Sequence, residues 1–258
     1  MRTCWTAWSI LPSSVIGPGL PSRPISPAET YPDATMKQLK AVFFDLDGVV
    51  VDSMRIHADS WIAILAEQGI EITPDEIFRR EGMSGIGSII DIFRERGLSV
   101  PDDGTLAGML ERKLIMFENH TIGLFPGVAD ILLLIRDHGL SMALVTGSLR
   151  RTVEFELDLE IRSFFDAIIT IEDVERGKPD PDPYLKAARV IGVAPGEALV
   201  IENAPMGVIS AKRAGIFCVA VQTTLGREHL AAADIVVQNH RELLDYLSGR
   251  LETMHPIG

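Results

Sequence analysis

The sequence has few cysteines, no long apolar run and a shortage of positive charge. Its 258 residues include only two cysteines, Cys4 and Cys218, so we expect neither a disulfide framework nor a cysteine-based metal site. This usage favours a reducing, cytoplasmic location. No apolar stretch approaches the roughly 18 residues of a membrane-spanning helix. The formal net charge of -12 argues against nucleic acid or an anionic membrane as a partner.

Proline is concentrated at the beginning of the chain. Six of the 15 prolines fall within the first 35 residues, a density that excludes a regular helix or a central strand. We interpret residues 1–36 as a disordered, proline-rich extension, or as translation assigned upstream of a true start at Met36. A secretory signal is disfavoured because the apolar stretch after Arg2 is short and broken by polar residues.

From Lys37 onward, apolar runs typical of buried strands alternate with helical segments. The hydrophobic fraction of 47% is sufficient for one sizeable core and a smaller second unit. The predicted strands are 41–44, 142–145, 167–169, 198–201 and 216–221. The predicted helices between the later strands cover about 127–138, 149–159, 182 onward and 207–214. This alternation predicts an α/β fold, a Rossmann-like doubly wound parallel sheet with helices on both faces.

The first two strands are separated by a long segment with helical periodicity only. Apolar residues recur at helical spacing around Trp61, Ile89 and Leu110, with glycines between the runs. We therefore predict a helical cap domain over residues 54–122, inserted into a catalytic core made of residues 37–53 and 123–258. Because ligands bind beyond the carboxyl ends of parallel strands, a domain inserted there would cover the site.

Polar residues follow four of the predicted strands. Asp45 and Asp47 follow the first, Thr146-Gly147-Ser148 the second, Lys178 the third, and Glu202-Asn203 the fourth. The carboxyl ends of parallel strands lie at one edge of the sheet, so these groups should converge. The convergence is more informative than any one residue, since strand-to-helix turns commonly carry threonine and serine as caps.

This pattern resembles the haloacid dehalogenase-like hydrolase superfamily, and the resemblance runs from Lys37 onward. The segment Asp45-Leu46-Asp47-Gly48-Val49-Val50-Val51-Asp52-Ser53 is its most specific part. The likeness is greatest to the subgroup with a helical cap, which includes β-phosphoglucomutase and many sugar-phosphate and phosphoglycolate phosphatases. It implies a Mg²⁺-dependent phosphatase that acts on small phosphate esters.

The resemblance also implies a role for each motif. Asp45 is expected to attack phosphorus and form an aspartyl phosphate, and Asp47 to act as general acid and base. The expected Mg²⁺ ligands are Asp45, the Asp47 carbonyl, Glu202 and Asn203. Asn203 departs from the family pattern, which has an acid there: an amide oxygen can ligate a cation but supplies no charge.

The remaining expectations concern phosphate and substrate binding. The Thr146 side chain and the Gly147 and Ser148 amides are expected to bind phosphate beside a helix N-terminus. Lys178 is expected to contact both Asp45 and the transferring phosphoryl group. His57 is expected either to touch substrate or steer the hinge, or simply to occupy a helix face. For Arg150 and Arg151 a solvated surface position is the favoured interpretation.

Two alternatives to a phosphatase remain open. A β-phosphoglucomutase-like transferase needs cations to hold a second phosphate, but the segment Glu81–Gly87 has none, and we interpret Arg79 and Arg80 before it as solvated. A catalytically weakened binding protein is supported only by Asn203. A dehalogenase and a phosphonate hydrolase are disfavoured because Asp47 is present. The sequence identifies neither the ester nor the oligomeric state, monomer or homodimer.

Overall fold

The computed structural model describes residues 39–254. These residues form a six-stranded sheet in the order β3-β2-β1-β4-β5-β6, and all neighbouring strands run parallel. The predicted proline-rich extension over residues 1–36 lies outside the described residues.

The sheet strands are short and almost wholly buried. They are β1 (Ala41–Phe44), β2 (Ser141–Val145), β3 (Ala167–Ile169), β4 (Ala198–Glu202), β5 (Phe217–Val221) and β6 (Ile235–Val237). Successive side chains of a strand point to opposite faces, so both faces of this sheet have hydrophobic cores. The α/β doubly wound fold predicted from the sequence is confirmed, and β6 is a strand that the sequence analysis missed.

Helices cover both faces of the sheet. Those of the sheet unit are α5 (Val128–Asp137), α6 (Arg150–Glu156), α7 (Leu159–Arg162), α8 (Asp182–Ile191), α9 (Pro205–Arg213) and α10 (His240–Met254). One core joins Val42 and Phe44 of β1 to α5 and α10. The other joins Ala41 and Phe43 to α8 and α9.

The predicted helix over residues 149–159 is wrong in its extent. The structure has two short helices there, because α6 ends at Glu156 and Leu157 is extended with φ of −116° and ψ of 127°. Asp158 then caps α7, its side chain accepting a hydrogen bond from the amide of Ile161. An N-cap residue needs extended backbone, and it therefore interrupts a continuous helix.

Four helices lie between β1 and α5. They are α1 (Met54–Ala66), α2 (Pro74–Phe78), α3 (Gly85–Glu95) and α4 (Asp103–Phe117). They enclose a hydrophobic cluster of their own around Trp61, Ile64 and Ile89. The helical content predicted for this segment is therefore present, whereas its assignment as a cap domain remains a prediction.

No helix among the described residues has both the length and the apolar character required to cross a bilayer. The cytoplasmic location stays a prediction.

Candidate active site

The strand order places the predicted site residues at one edge of the sheet. Strand β1 lies between β2 and β4, so the loops that follow these three strands are neighbours. Asp45 follows β1, Thr146 follows β2, and Glu202 is the last residue of β4. Lys178 reaches the same place from the loop between β3 and α8. The predicted convergence is thus present in the fold.

Lys178 joins two acids of this edge. Its Nζ lies 2.5 Å from Asp45 Oδ1 and 2.7 Å from Glu202 Oε1, and it donates a third hydrogen bond of 2.9 Å to the carbonyl of Val145. The side chain of Lys178 is 0% exposed. All three ammonium hydrogens are therefore used, and the lysine is held rigidly beside Asp45.

Burial and opposite charge act against each other in this triad. Burial and the Glu202 charge raise the pKa of Asp45 well above its usual value, although Lys178 acts in the opposite direction. Burial alone would lower the pKa of Lys178, but the charges of Asp45 and Glu202 outweigh it and the net shift is upward. Two carboxylates share the single positive charge of Lys178, so the negative charge of Asp45 is only partly neutralised.

Glu202 is saturated with protein donors. Its Oε1 accepts from Lys178 and, at 2.8 Å, from the hydroxyl of Tyr184, while its Oε2 accepts from the amides of Asn203 and Ala204 at 3.0 and 3.3 Å. The carboxylate fits only because residue 207 is glycine: a Cβ there would lie 1.6 Å from Glu202 Oε1. Glu202 thus positions Lys178.

Asp47 accepts hydrogen bonds from three side chains. Ser53 Oγ donates to Oδ1 at 2.6 Å, His57 Nε2 contacts the same oxygen at 2.8 Å, and Ser148 Oγ donates to Oδ2 at 2.9 Å. Burial raises the pKa of Asp47, but the charge and hydrogen bond of His57, with the hydrogen bond from Ser53, lower it well below its usual range. Asp47 is therefore held ionised.

His57 is buried, and its ring is part of a polar chain. Its Nδ1 contacts the ammonium of Lys113 from α4, and its ring stacks on Phe117 with centroids 4.1 Å apart. Burial and Lys113 lower the pKa of His57, against the effect of Asp47. The hydrogen bond from Nε2 to Asp47 is available in the neutral and charged states alike, so it stabilises ionised Asp47 in both. His57 does lie on a helix, α1, and a role in touching substrate or steering the hinge remains a prediction.

Lys113 and Glu156 complete this chain, and the sequence analysis missed both. Burial lowers the pKa of Lys113 to about 8. Glu156 Oε1 lies 3.7 Å from His57 Nε2, and burial followed by the Asp47 charge raises the pKa of Glu156 well above its usual value. Lys113 and Glu156 are charged residues at core-facing positions of their helices, as Lys113 lies between Met109 and Phe117. A charge at such an apolar position is the sequence signal that could have identified both.

The loop after β2 contains an internal hydrogen bond. The amide of Ser148 donates to Thr146 Oγ1 at 3.0 Å, so it is engaged within the loop, and α6 begins two residues later at Arg150. Asp45, Asp47, Thr146, Gly147 and Ser148 line a small cavity of about 30 Å³, together with Gly82 and Met83 of the insertion. The binding of phosphate by this loop remains a prediction.

Glu81 brings a further acid to the same edge from the turn after α2. Its Oε1 accepts a hydrogen bond of 3.1 Å from Asn203 Nδ2. Glu81 Oε2 and Asn203 Oδ1 are buried and have no hydrogen-bond partner. Burial, followed by the charges of Asp45, Asp47 and Glu202, raises the pKa of Glu81. The sequence analysis named Glu81 only as the first residue of a segment that lacks cations.

The oxygens at this edge fit Mg²⁺, which prefers carboxylate, carbonyl and amide oxygen ligands. The unpartnered oxygens of Asn203 and Glu81 are buried acceptors that a cation would satisfy. A second group, Asp47, His57 and Glu156, also offers ligand atoms within 4.8 Å of one another. The Lys113 ammonium contacts His57 there, so that group already holds a positive charge and is the poorer cation site.

A larger cavity lies beside Asp47, between the helical insertion and the sheet unit. Its volume is about 310 Å³. Apolar side chains such as Trp61, Ile89 and Leu149 form much of its wall, and its polar lining includes His57 and Lys113. A space of this size and lining can hold a small organic molecule.

The two arginines after the second motif lie outside this cavity. Arg150 pairs with Asp173 at 2.7 Å. Arg151 pairs with Glu118 at 2.6 Å and Glu111 at 3.0 Å. Both side chains are about half exposed, in agreement with the favoured solvated interpretation.

Comparison with known proteins places this site in context. The model of the haloacid dehalogenase-like hydrolase family matches residues 42–221. Validoxylamine A 7'-phosphate phosphatase of Streptomyces hygroscopicus subsp. limoneus is 30% identical over 206 residues, or 79% of this chain and 95% of the relative. β-Phosphoglucomutase of Bacillus subtilis (strain 168) is 30% identical over 214 residues, or 80% and 92%. A solved hydrolase from Pseudomonas syringae is 29% identical with a TM-score of 0.75, covering 81% and 98%.

Proposed function

Because the chain belongs to the haloacid dehalogenase-like hydrolase family, we propose that it is a Mg²⁺-dependent phosphatase that forms a phospho-aspartyl intermediate on Asp45. One observation carries the proposal: Asp45, whose Oδ1 lies 2.5 Å from the Nζ of the buried Lys178, lines a small cavity together with Asp47. The enzyme class predicted from the sequence, a phosphoric monoester hydrolase, is supported by the family and by a relative named as a phosphatase.

In the first step, an oxygen of Asp45 bonds to phosphorus, and the bond from phosphorus to the ester oxygen breaks. The leaving oxygen takes a proton from Asp47. In the second step, water attacks the aspartyl phosphate, gives a proton to Asp47, and releases inorganic phosphate while Asp45 is restored. Lys178 offsets the charge that accumulates between Asp45 and the phosphoryl oxygens. Bound Mg²⁺ would reduce the repulsion between the carboxylate and the phosphate dianion.

The hydrogen bonds of Asp47 favour the second step. His57, Ser53 and Ser148 hold Asp47 ionised, which suits a base that takes a proton from water. The first step needs a protonated Asp47, and the contact with His57 opposes that state. Because His57 belongs to α1 of the insertion, we propose that residues 54–122 act as a cap whose movement changes the protonation of Asp47.

Water, rather than a sugar hydroxyl, is the proposed acceptor. Arg80 lines the larger cavity, so its interpretation as solvated is wrong, but its guanidinium pairs with Glu95 and donates to the carbonyl of Glu76. Both terminal nitrogens of the guanidinium are therefore engaged and only its buried Nε lacks a partner, so Arg80 does not offer a bidentate clamp for a second phosphate. Glu81 adds a negative charge nearby. These contacts disfavour the mutase and support a hydrolase that acts on a sugar phosphate or a similar small ester.

The test is a Mg²⁺-dependent activity screen over phosphorylated metabolites, with Asp45→Asn as the matched inactive variant. We expect phosphate release by the wild type and none by a folded Asp45→Asn protein. Full activity of that variant would refute the assignment of Asp45, and no activity on any ester would favour the weakened binding protein. With β-glucose 1-phosphate, faster formation of glucose 6-phosphate than of free phosphate, stimulated by glucose 1,6-bisphosphate, would favour the mutase.

A further inference from the structure

The acid at position 81 lies in the helical insertion but contacts the sheet unit. Glu81 is only 8% exposed, and its Oε1 accepts from Asn203 Nδ2 at 3.1 Å. Both groups lie against the loop after β1, because a Cβ at Gly48 would be 2.0 Å from Asn203 Nδ2 and 3.1 Å from Glu81 Oε1. Gly48 has a φ of +83°, so this close approach and the backbone conformation both require glycine. The carboxylate thus reaches the edge where Asp45 lies.

Two buried oxygens of this contact are left without a partner. They are Glu81 Oε2 and Asn203 Oδ1. A buried carboxylate oxygen without a donor or a cation is unfavourable, because nothing replaces the hydration that it loses on burial. The arrangement is therefore incomplete as a purely structural contact, and a cation would satisfy both oxygens.

Glu202 and Asn203, at the end of β4, cannot supply the missing charge. Both oxygens of Glu202 already accept two hydrogen bonds each from Lys178, Tyr184 and the following backbone amides. Asn203 is neutral. The Asp47 carboxylate is held by Ser53, His57 and Ser148, so a divalent cation beside Asp45 would find that one carboxylate available in the sheet unit. Mg²⁺ sites commonly use one or two carboxylates together with water and substrate oxygens, so a second one from the insertion is compatible with such a site.

We propose that Glu81 is a ligand of the Mg²⁺ ion, so that the helical insertion supplies the negative charge that Asn203 lacks. The inference rests on the proposed Mg²⁺-dependent function and extends it. Asp45 and Glu81 then balance the two charges of the ion, and the Asn203 amide oxygen is a neutral third ligand. Since the carboxylates come from different units, the ion is fully liganded only when the turn after α2 lies over the sheet edge. By linkage, the ion stabilises that closed arrangement.

The experiment measures Mn²⁺ binding to the full chain without substrate, by electron paramagnetic resonance, with Mg²⁺ as competitor. Glu81→Gln keeps an oxygen that can accept from Asn203 Nδ2 but loses the charge. We expect its Mn²⁺ affinity to fall by at least about tenfold, since even indirect metal partners contribute about 10- to 100-fold. Glu71→Gln, the matched control, removes an exposed acid of the same insertion and should leave affinity unchanged. Adding Asn203→Asp to Glu81→Gln should restore most of the affinity.

A second measurement tests whether Mg²⁺ holds the turn after α2 over the sheet edge. Hydrogen exchange of residues 79–85 should slow when Mg²⁺ is added to the wild type, and much less in Glu81→Gln. Wild-type affinity in Glu81→Gln would overturn this inference and leave the proposed phosphatase intact. A wild-type chain that binds no Mn²⁺ would instead overturn the metal dependence itself. If Glu81→Gln fails to fold, the single variant Asn203→Asp provides the test. Unchanged Mn²⁺ affinity in Asn203→Asp would also refute a ligand position at the contact of Glu81 with Asn203.

Discussion

Replacement of Lys178 by methionine tests the charge balance at the sheet edge. Methionine has a similar length but carries no charge, so Lys178→Met leaves Asp45 and Glu202 buried without their shared cation. It also removes the hydrogen bond to the Val145 carbonyl. Breaking a buried ion pair by deleting one partner costs about 3–5 kcal/mol. For a chain of this size, that corresponds to a fall in Tm of roughly 6–20 °C.

Asp45→Asn should have the opposite effect on stability. It changes the triad of Asp45, Lys178 and Glu202 from one net negative charge to none, and we expect a gain of about 0.5–2 kcal/mol, typical for removal of a destabilising functional group. Burial raises the folded-state pKa of Asp45. The ionised carboxyl therefore costs stability as pH rises above the unfolded-state pKa of about 3.9. The advantage of asparagine should be absent below that pH and grow above it.

The assay is urea unfolding in the presence of a chelator, so that no divalent cation replaces the lysine. Lys40→Met is the matched control, because Lys40 forms an exposed pair with Glu197 at 2.6 Å and such pairs contribute about 0–1 kcal/mol. The double variant Asp45→Asn/Lys178→Met should lose less stability than Lys178→Met, since one carboxylate remains. A loss below about 1 kcal/mol in Lys178→Met would refute the reasoning.

Three further predictions concern residues around the triad. Gly207→Ala places a Cβ 1.6 Å from Glu202 Oε1, and should lower the free energy of unfolding by about 1–3 kcal/mol and sharply reduce kcat; a fully active, stable variant would contradict the packing. Lys113 has a pKa of about 8 and should lose its charge on the alkaline side of neutrality. Lys113→Arg should therefore move the alkaline limb of the kcat/KM profile to higher pH. An unchanged limb would show that the charge of Lys113 does not set it. Arg151→Ala should leave the urea midpoint almost unchanged, with a larger effect at low salt, because an exposed ion pair is screened by ions; a large fall in the midpoint would show that Arg151 does more than form a surface pair.

The parallel sheet was predictable because its signal is local. The run Ala41–Phe44 is apolar at every position, and it is followed at once by Asp45. A strand buried on both faces requires such a run, and the carboxyl end of the strand is where polar groups can face a ligand. Strand β6 (Ile235–Val237) was missed although it is no shorter than β3, which was predicted, so its length does not account for the omission.

The sequence by itself determined the α/β fold, the family and the meeting of Asp45, Asp47, Thr146, Lys178 and Glu202, since the alternation of strands and helices and the polar residues at the strand ends are local patterns. Only the tertiary structure decided which charges are paired. It shows Glu202 saturated with donors, Lys113 behind His57 and Glu81 against Asn203. These contacts join residues 24, 56 and 122 positions apart. A local sequence pattern cannot predict contacts over such separations. They form because burial and the packing of the insertion bring these side chains together.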